Sequence, residues 1–474
     1  MRRLFQLSSS FFLCFVYCGV LAQETTQYSP DWQSLKKHQA VPEWLRDAKF
    51  GIYTHWGVYS VPAYNNEHYY RTMHHDEGYS KHGTYLRHVA LYGSLDKFGY
   101  HDFIPMFKGE KFNADEWADL YIKSGARFAG LVAEHHDGFA MWDSDYTPFN
   151  AEDMGPHKDI VGLLEKAIKK KGMKFFASLH HSYNYTALKI KKGWAADNPK
   201  YEKLYGSMMP REEWLDMWLN KCNEVAEKYH PDIMYFDAWL DDIPEDYIKK
   251  YLAHYFNEAA ENGQQVAVTY KGEDLPKEVG MLDHENKNPD GYVMEPWLCD
   301  YSIGTGISYA WCYTEGMEIR TPKDIVRTLV DVVSKNGQMI LNLSPKADGT
   351  IPQDQKNVMF RVGRWMWSHG EAIYETRPFA VPHEVTDDGI DVFYTQKGKT
   401  IYAIFYEWPG LNKNIKLKEV LPKRIDGEVK TVTLLGLKKI DKCTFSQKED
   451  GLEFMIPKAR IPDDLAIVFR IEVE

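Results

Sequence analysis

Asp237 ends a short apolar run, Ile233-Met234-Tyr235-Phe236, and a carboxylate delivered abruptly by a buried strand is positioned for work rather than for solubility. Histidines close other apolar runs in the same way: His55 near the start of the chain, the pair His135-His136, and His180. Two chemistries use such groups. A metal hydrolase would need nitrogen and oxygen donors converging on one ion. His135, His136 and Asp137 are consecutive, however, and consecutive residues at a strand end point to opposite sides, so no metal is expected. The other chemistry is cleavage of a glycosidic bond by two carboxyl groups, one a nucleophile and one a proton donor, with imidazoles and indoles holding the sugar. Trp239, two residues beyond Asp237, offers an apolar wall for a ring. The chain has neither a GxGxxG fingerprint nor a phosphate loop, and no cofactor is expected. The plainer readings, a helix N-cap for Asp237 and structural roles for the histidines, fit each residue singly but not their recurrence at successive strand ends.

That recurrence requires a scaffold in which strand ends meet. Extended segments are predicted at 49–57, 127–134, 173–180, 233–236, 265–271, 297–303 and 338–344, the last after a helix capped by Gly337. Helical periodicity appears between them, from Asn113 as N-cap to Gly125, over 159–171, 212–229, 246–262 and 324–335, and again over 353–369. Strands alternating with helices imply a parallel sheet, and the span suits a closed (β/α)8-type TIM barrel, whose catalytic groups sit at the carboxyl ends of its strands. Two long stretches, 58–111 and 272–296, are read as loops, the first roofing a pocket. After Arg377-Pro378 the texture changes to short alternating segments separated by Gly and Pro, such as 400–406 and 465–471, which predict a C-terminal antiparallel β-sandwich. The expected organisation is 1–22 as a signal peptide, 23–376 as the catalytic barrel and 377–474 as the sandwich.

Composition narrows the partners. The net charge of −11 is spread along the chain, which excludes a large basic face and hence nucleic acid. Arg2 and Arg3 precede an apolar run ending at Ala22, the layout of an export signal; the run is too short for a stable membrane span, so the expected location is periplasmic, lysosomal or extracellular according to the source. Cys222, Cys299, Cys312 and Cys443 show no close spacing of the zinc-site kind and leave at most one incidental disulfide. Oligomeric state is left open.

His55-Trp56-Gly57, Glu67 within Glu-His-Tyr-Tyr, His135-His136-Asp137-Gly138-Phe139, Phe236-Asp237-Ala238-Trp239 and the stretch 333–350 together resemble the α-L-fucosidases of glycoside hydrolase family 29. The resemblance runs from about residue 40 to Thr376, and the change to a β module is similar too. It implies a retaining exo-α-L-fucosidase acting on terminal fucose of glycans, with Asp237 as the nucleophile that forms a covalent glycosyl-enzyme. His55, Glu67, His135 and His136 match positions that bind fucose hydroxyls, and Trp239 matches an aromatic wall. Trp56, beside His55, and His180 complete the expected sugar contacts.

The family supplies its acid/base from a variable loop. In many relatives it is a glutamate directly after the tryptophan of a motif resembling Trp297-Leu298-Cys299, where this chain has Leu298. Other relatives place it in a stretch similar to Leu282-Asp283-His284-Glu285-Asn286, which makes Glu285 the expected acid/base and Glu295 the reserve. Lys271 stands where relatives carry Arg or Lys and would orient that loop. Two departures are Glu134, where the family usually has Lys, and the stretch 304–311, a loose match to the usual Ser-Trp-Gly-Tyr. A sugar-binding protein with a degenerate fucosidase-like site, lacking its proton donor, is the alternative reading.

Overall fold

Eight short parallel strands make the first sheet: β1 Phe50–Thr54, β2 Phe128–Glu134, β3 Lys174–Leu179, β4 Ile233–Phe236, β5 Ala267–Tyr270, β6 Met281–Leu282, β7 Trp297–Ser302 and β8 Gly337–Leu343. The computed structural model describes residues 27–74, 83–237, 240–306, 310–436, 441–456 and 463–474. The strand order is β6-β5-β4-β3-β2-β1-β8-β7. The ring closes through a parallel bridge between Asp283 and Leu298, continued by hydrogen bonds from His284 N to Leu298 O (2.9 Å) and from Asn286 N to Asp300 O (3.0 Å). Closure explains why these runs are apolar at nearly every position: one face fills the barrel and the other meets helices. Phe128, Val132, Phe176, Ile233, Tyr235 and Ile340 fill the interior.

The outer layer is built from α1 Ala114–Lys123, α2 Ile160–Lys170, α3 Arg211–Tyr229, α4 Glu245–Glu261, α5 Pro322–Ser334 and α6 Gln353–His369. Three of these helices begin at a side-chain cap. Asn113 accepts from Glu116 N at 3.1 Å, Asp159 from Gly162 N at 2.9 Å, and Thr321 forms a capping box with Asp324. One expected stop differs: Gly337 opens β8, and it is Asn336, at φ 77°, that takes the left-handed turn after α5. The loop expected over 272–296 contains β6. Two residues carry no periodicity, and only the pairing of Thr269 with Met281 and Tyr270 with Leu282 defines that strand.

Beyond α6 the chain forms β9 Arg377–Val385, β10 Asp391–Lys397, β11 Thr400–Phe405, β12 Asn414–Leu417, β13 Val429–Leu434, β14 Asp441–Lys442, β15 Thr444–Lys448, β16 Gly451–Met455 and β17 Ile467–Val473. A six-stranded antiparallel sheet, β9-β10-β11-β17-β13-β14, faces a three-stranded one, β12-β16-β15, across a core containing Ile401, Phe405, Phe454 and Phe469. The other face of the larger sheet packs on the barrel. Phe393, Tyr402 and Ile404 join the hydrophobic cluster of α5 and α6, Trp365 Nε1 donates to Ala466 O (2.9 Å), and Tyr406 Oη donates to Arg327 O (2.6 Å). Cys222, Cys299 and Cys312 are buried free thiols, and Cys443 is buried.

Candidate active site

Strand alternation decides which side chains reach the barrel mouth. Tyr53, Phe176 and Tyr235 point inward as part of the interior core, so a side chain an even number of residues further on also points inward. That rule places His55, His180 and Asp237 over the mouth, and on β5, where Ala267 faces inward, it places Lys271 there too. It equally places Trp56 outside. The expectation that Trp56 contacts sugar is corrected: its ring packs among Phe107, Phe112 and Trp117, and its Nε1 donates to Lys346 O at 2.7 Å.

On β2 the rule fails for a local reason. The register with β3 shifts between Val132 and Glu134, which reverses the alternation. Glu134 therefore points outward, into a fully buried ion pair with Lys221 of α3 (2.8 Å), and His135 points inward. The departure at Glu134 thus concerns a structural pair behind the site rather than its lining. The chain turns immediately after His135, so His135 and His136 do not diverge as expected; their ring centroids are 4.4 Å apart. Their nitrogens, with those of His55, His68 and His180, form groupings compact enough for one ion, as do His136, His180 and Asp237. Lys271 already brings a cation to Asp237, so an ion held there would face like charge.

The cavity encloses about 100 Å³ above Tyr53 and Asp300, with Trp311, Glu67 and His68 on one side and Lys271 and Glu285 on the other. A larger groove of about 850 Å³, lined by His101, Asp102, Phe149, Asp153, His157 and Tyr201, has aromatic walls but holds none of the strand-end residues. Within the small cavity, Lys271 Nζ lies 2.9 Å from Asp237 Oδ1 and 2.6 Å from Glu285 Oε2. Two oxygens at those distances from one nitrogen are at most about 5.5 Å apart, the length of the two legs end to end. Asp237 Oδ2 faces His136 Nε2 (3.5 Å) and His180 Nδ1 (3.4 Å).

These neighbours separate the two acids. Burial opposes ionisation of Asp237, but Lys271, His180 and His136 hold its carboxyl well below the usual range. For Glu285 burial dominates and raises the carboxyl despite Lys271, with Asp300 and Asp237 adding to the rise. Burial likewise drives His55, His68 and His135 well below the usual imidazole range, so they stand neutral. His55 Nδ1 and its backbone N–H both lie 2.8 Å from Asn342 Oδ1, which can only accept; Nδ1 therefore carries the hydrogen and Nε2 keeps its lone pair. Glu67 accepts from the backbone N–H of Trp311 at 2.9 Å.

The remaining expectations sort as follows. Glu295 pairs with Lys277 at the surface and does not line the cavity, because it lies farther along the loop, past the point where Glu285 turns inward. Leu298 points into the interior core. Trp239 lies outside the described residues. Sequence reasoning missed His68, Tyr53, Trp311 and Asp300 as lining groups. His68 adjoins Glu67, Trp311 ends the loosely matching stretch, and Tyr53 precedes His55 by two residues, a signal that alternation alone could have supplied.

A closed parallel barrel with two carboxyl groups of opposed character over its mouth is an arrangement that glycoside hydrolases use. A family model for alpha-L-fucosidase matches residues 16–371, and one for the alpha-L-fucosidase C-terminal domain matches 387–472. The tissue alpha-L-fucosidase of Rattus norvegicus is 32% identical over 81% of this chain and 79% of its own, and the plasma alpha-L-fucosidase of Homo sapiens 31% over 82% and 80%. The crystal structure of Thermotoga maritima alpha-fucosidase in complex with fucose superposes with a TM-score of 0.75 at 29% identity, over 94% of this chain and all of that one. The chain belongs to the alpha-L-fucosidase family.

Proposed function

We propose that this chain is a retaining exo-α-L-fucosidase that removes terminal fucose from glycans, with Asp237 as nucleophile and Glu285 as acid/base. The observation that carries the reading is the shared ammonium. Lys271 keeps the facing oxygens Asp237 Oδ1 and Glu285 Oε2 no more than about 5.5 Å apart, in accord with the ~5–5.5 Å separation of a direct displacement rather than the ~6.5–9.5 Å that admits a water. Asp237 attacks the anomeric carbon while Glu285 gives its proton to the departing oxygen, leaving a glycosyl ester. Glu285, now a carboxylate, takes a proton from water; the water attacks the same carbon and expels Asp237. Two inversions give net retention.

A cavity of about 100 Å³ is on the scale of one ring, which suits a terminal sugar. The lone pair of His55 Nε2 accepts a sugar hydroxyl; Glu67, His135, His136 and His180 provide further polar contacts, and Trp311 an apolar side. Trp239 is retained as a wall on the strength of its place after Asp237. The sugar-binding alternative rested on Leu298, and Glu285 supplies the carboxyl that reading lacks. Export through residues 1–22 accords with a glycan substrate, and no helix among the described residues is long and apolar enough to cross a membrane.

The test is release of 4-nitrophenol from the aryl α-L-fucoside, with the configuration of the first-formed fucose read by NMR. Retained configuration in the parent, and loss of turnover in a folded Asp237→Asn, are expected. Inverted product, or an active Asp237→Asn, would overturn the assignment.

A further inference from the structure

Below Lys271 lie two more acids that the mechanism does not use. Asp283 follows β6 and Asp300 lies on β7; both are buried, and Asp300 N donates to Asp283 Oδ1 at 3.1 Å. Tyr235 Oη is 3.0 Å from Asp283 Oδ2 and 3.1 Å from Asp300 Oδ2, and Tyr53 Oη is 3.1 Å from the same Asp300 oxygen. A phenol has one hydrogen and can serve one carboxylate. Both Tyr235 contacts are attractive only if one carboxyl brings a hydrogen of its own.

The extra hydrogen can sit on either acid, and the two phenols that reach Asp300 Oδ2 favour placing it on Asp283. Asp283 donates to Tyr235, Tyr235 donates to Asp300, and Tyr53 donates to Asp300 as well. Burial together with the neighbouring Asp300 pushes the Asp283 carboxyl well above the ordinary range, in accord with a retained proton. Lys271 Nζ is 3.7 Å from Asp283 Oδ2 and 3.9 Å from Asp300 Oδ2. Of its three hydrogens, two serve Asp237 and Glu285, and the third faces the pair. The charged and titratable groups facing the pair are therefore Tyr53 from β1, Tyr235 and Asp237 from β4 and its end, Lys271 from the end of β5, and Glu285 and Cys299 from the β6 to β7 segment.

We propose that Asp283 and Asp300 are positioning residues that share one proton and carry one negative charge between them, holding Lys271 between nucleophile and acid and keeping Glu285 protonated for catalysis. This inference rests on Glu285 being the acid/base. Sharing has a consequence that two independent carboxylates would not have. In Asp283→Asn a neutral group replaces a neutral group. In Asp300→Asn the remaining Asp283 loses its like-charged neighbour and ionises. Either single variant thus keeps one charge, and only the double variant removes it.

The experiment is the pH profile of kcat/KM for an aryl α-L-fucoside in the parent, both single variants and the double, each checked for cooperative melting. The alkaline limb is expected to stay in place in both singles and to move to lower pH by about one unit or more in the double, the direction expected when a negative neighbour is lost. Equal shifts in the singles that add in the double, or an unmoved limb in the double, would overturn the proposal. A uniform loss of rate with an unchanged profile would also do so, marking a merely structural pair. Should the double variant not fold, infrared spectroscopy at neutral pH supplies a second readout: the parent-minus-Asp283→Asn difference spectrum must show one protonated-carboxyl band lost, with that of Glu285 remaining, and a difference spectrum without that loss defeats the assignment. Glu285→Gln separates the two readings: if it leaves the alkaline limb intact, the acid/base assignment fails whatever the pair variants show.

Discussion

At the scale of single residues, Lys271 touches both carboxyl groups proposed for catalysis and favours the anion of each. It steadies the Asp237 anion and opposes ionisation of neither acid; every other neighbour of Glu285 named above favours its proton. Replacing it with an uncharged side chain removes a cation from both groups. Each carboxyl then ionises less readily, so in Lys271→Met both limbs of the kcat/KM profile move to higher pH, by about one unit or more, with a fall in kcat. A profile that shifts downward would contradict this geometry. Glu285→Gln keeps shape but cannot protonate a leaving group. Turnover of natural fucosides should drop about 10²–10⁴-fold, with a smaller loss for 4-nitrophenyl fucoside, whose leaving group needs little help. Equal losses for both substrates would remove Glu285 from the acid role.

At the scale of elements, the register shift at the end of β2 is what turns a strand into a site wall. It sends His135 into the cavity and Glu134 into the space between β2 and α3, where Lys221 meets it. A buried carboxylate without its cation is costly: Lys221→Met should lose about 3–5 kcal/mol of stability by urea denaturation, and Glu134→Gln combined with it should recover most of that. A mild effect in the single variant would mean that Glu134 simply takes up a proton. Much at this scale was legible beforehand. The helix starts at Asn113 and Asp159 and the apolar runs of β2, β4 and β8 follow from local chemistry, whereas the Thr321 cap lies three residues before the helix start read at Asp324. The register shift, by contrast, depends on how β2 pairs with β3, and β6 exists only because β5 lies beside it.

At the scale of the whole molecule, the sandwich is docked by α5 and α6 rather than tethered by a linker. Trp365 is fully buried at that junction and donates to Ala466 O, so Trp365→Ala should cost about 3–5 kcal/mol and lower the melting temperature of the full chain. An unchanged transition would mean that the two domains unfold independently of this contact. The same helices back β8, whose Asn342 holds His55, which links the docked face to the barrel mouth through packed elements.

The sequence by itself determined the alternation of strands and helices, the closed-barrel class, the change to a β module and the residue types that end each strand, because periodicity and capping act between near neighbours in the chain. Only the tertiary structure decided that Asp237, Lys271, Asp283, Glu285 and Asp300 gather around one ammonium, that His135 and His136 converge, and that Trp56 faces away. Those outcomes depend on strand register and ring closure. Charges separated by dozens of residues along the chain acquire their character from one another only after the barrel has shut water out.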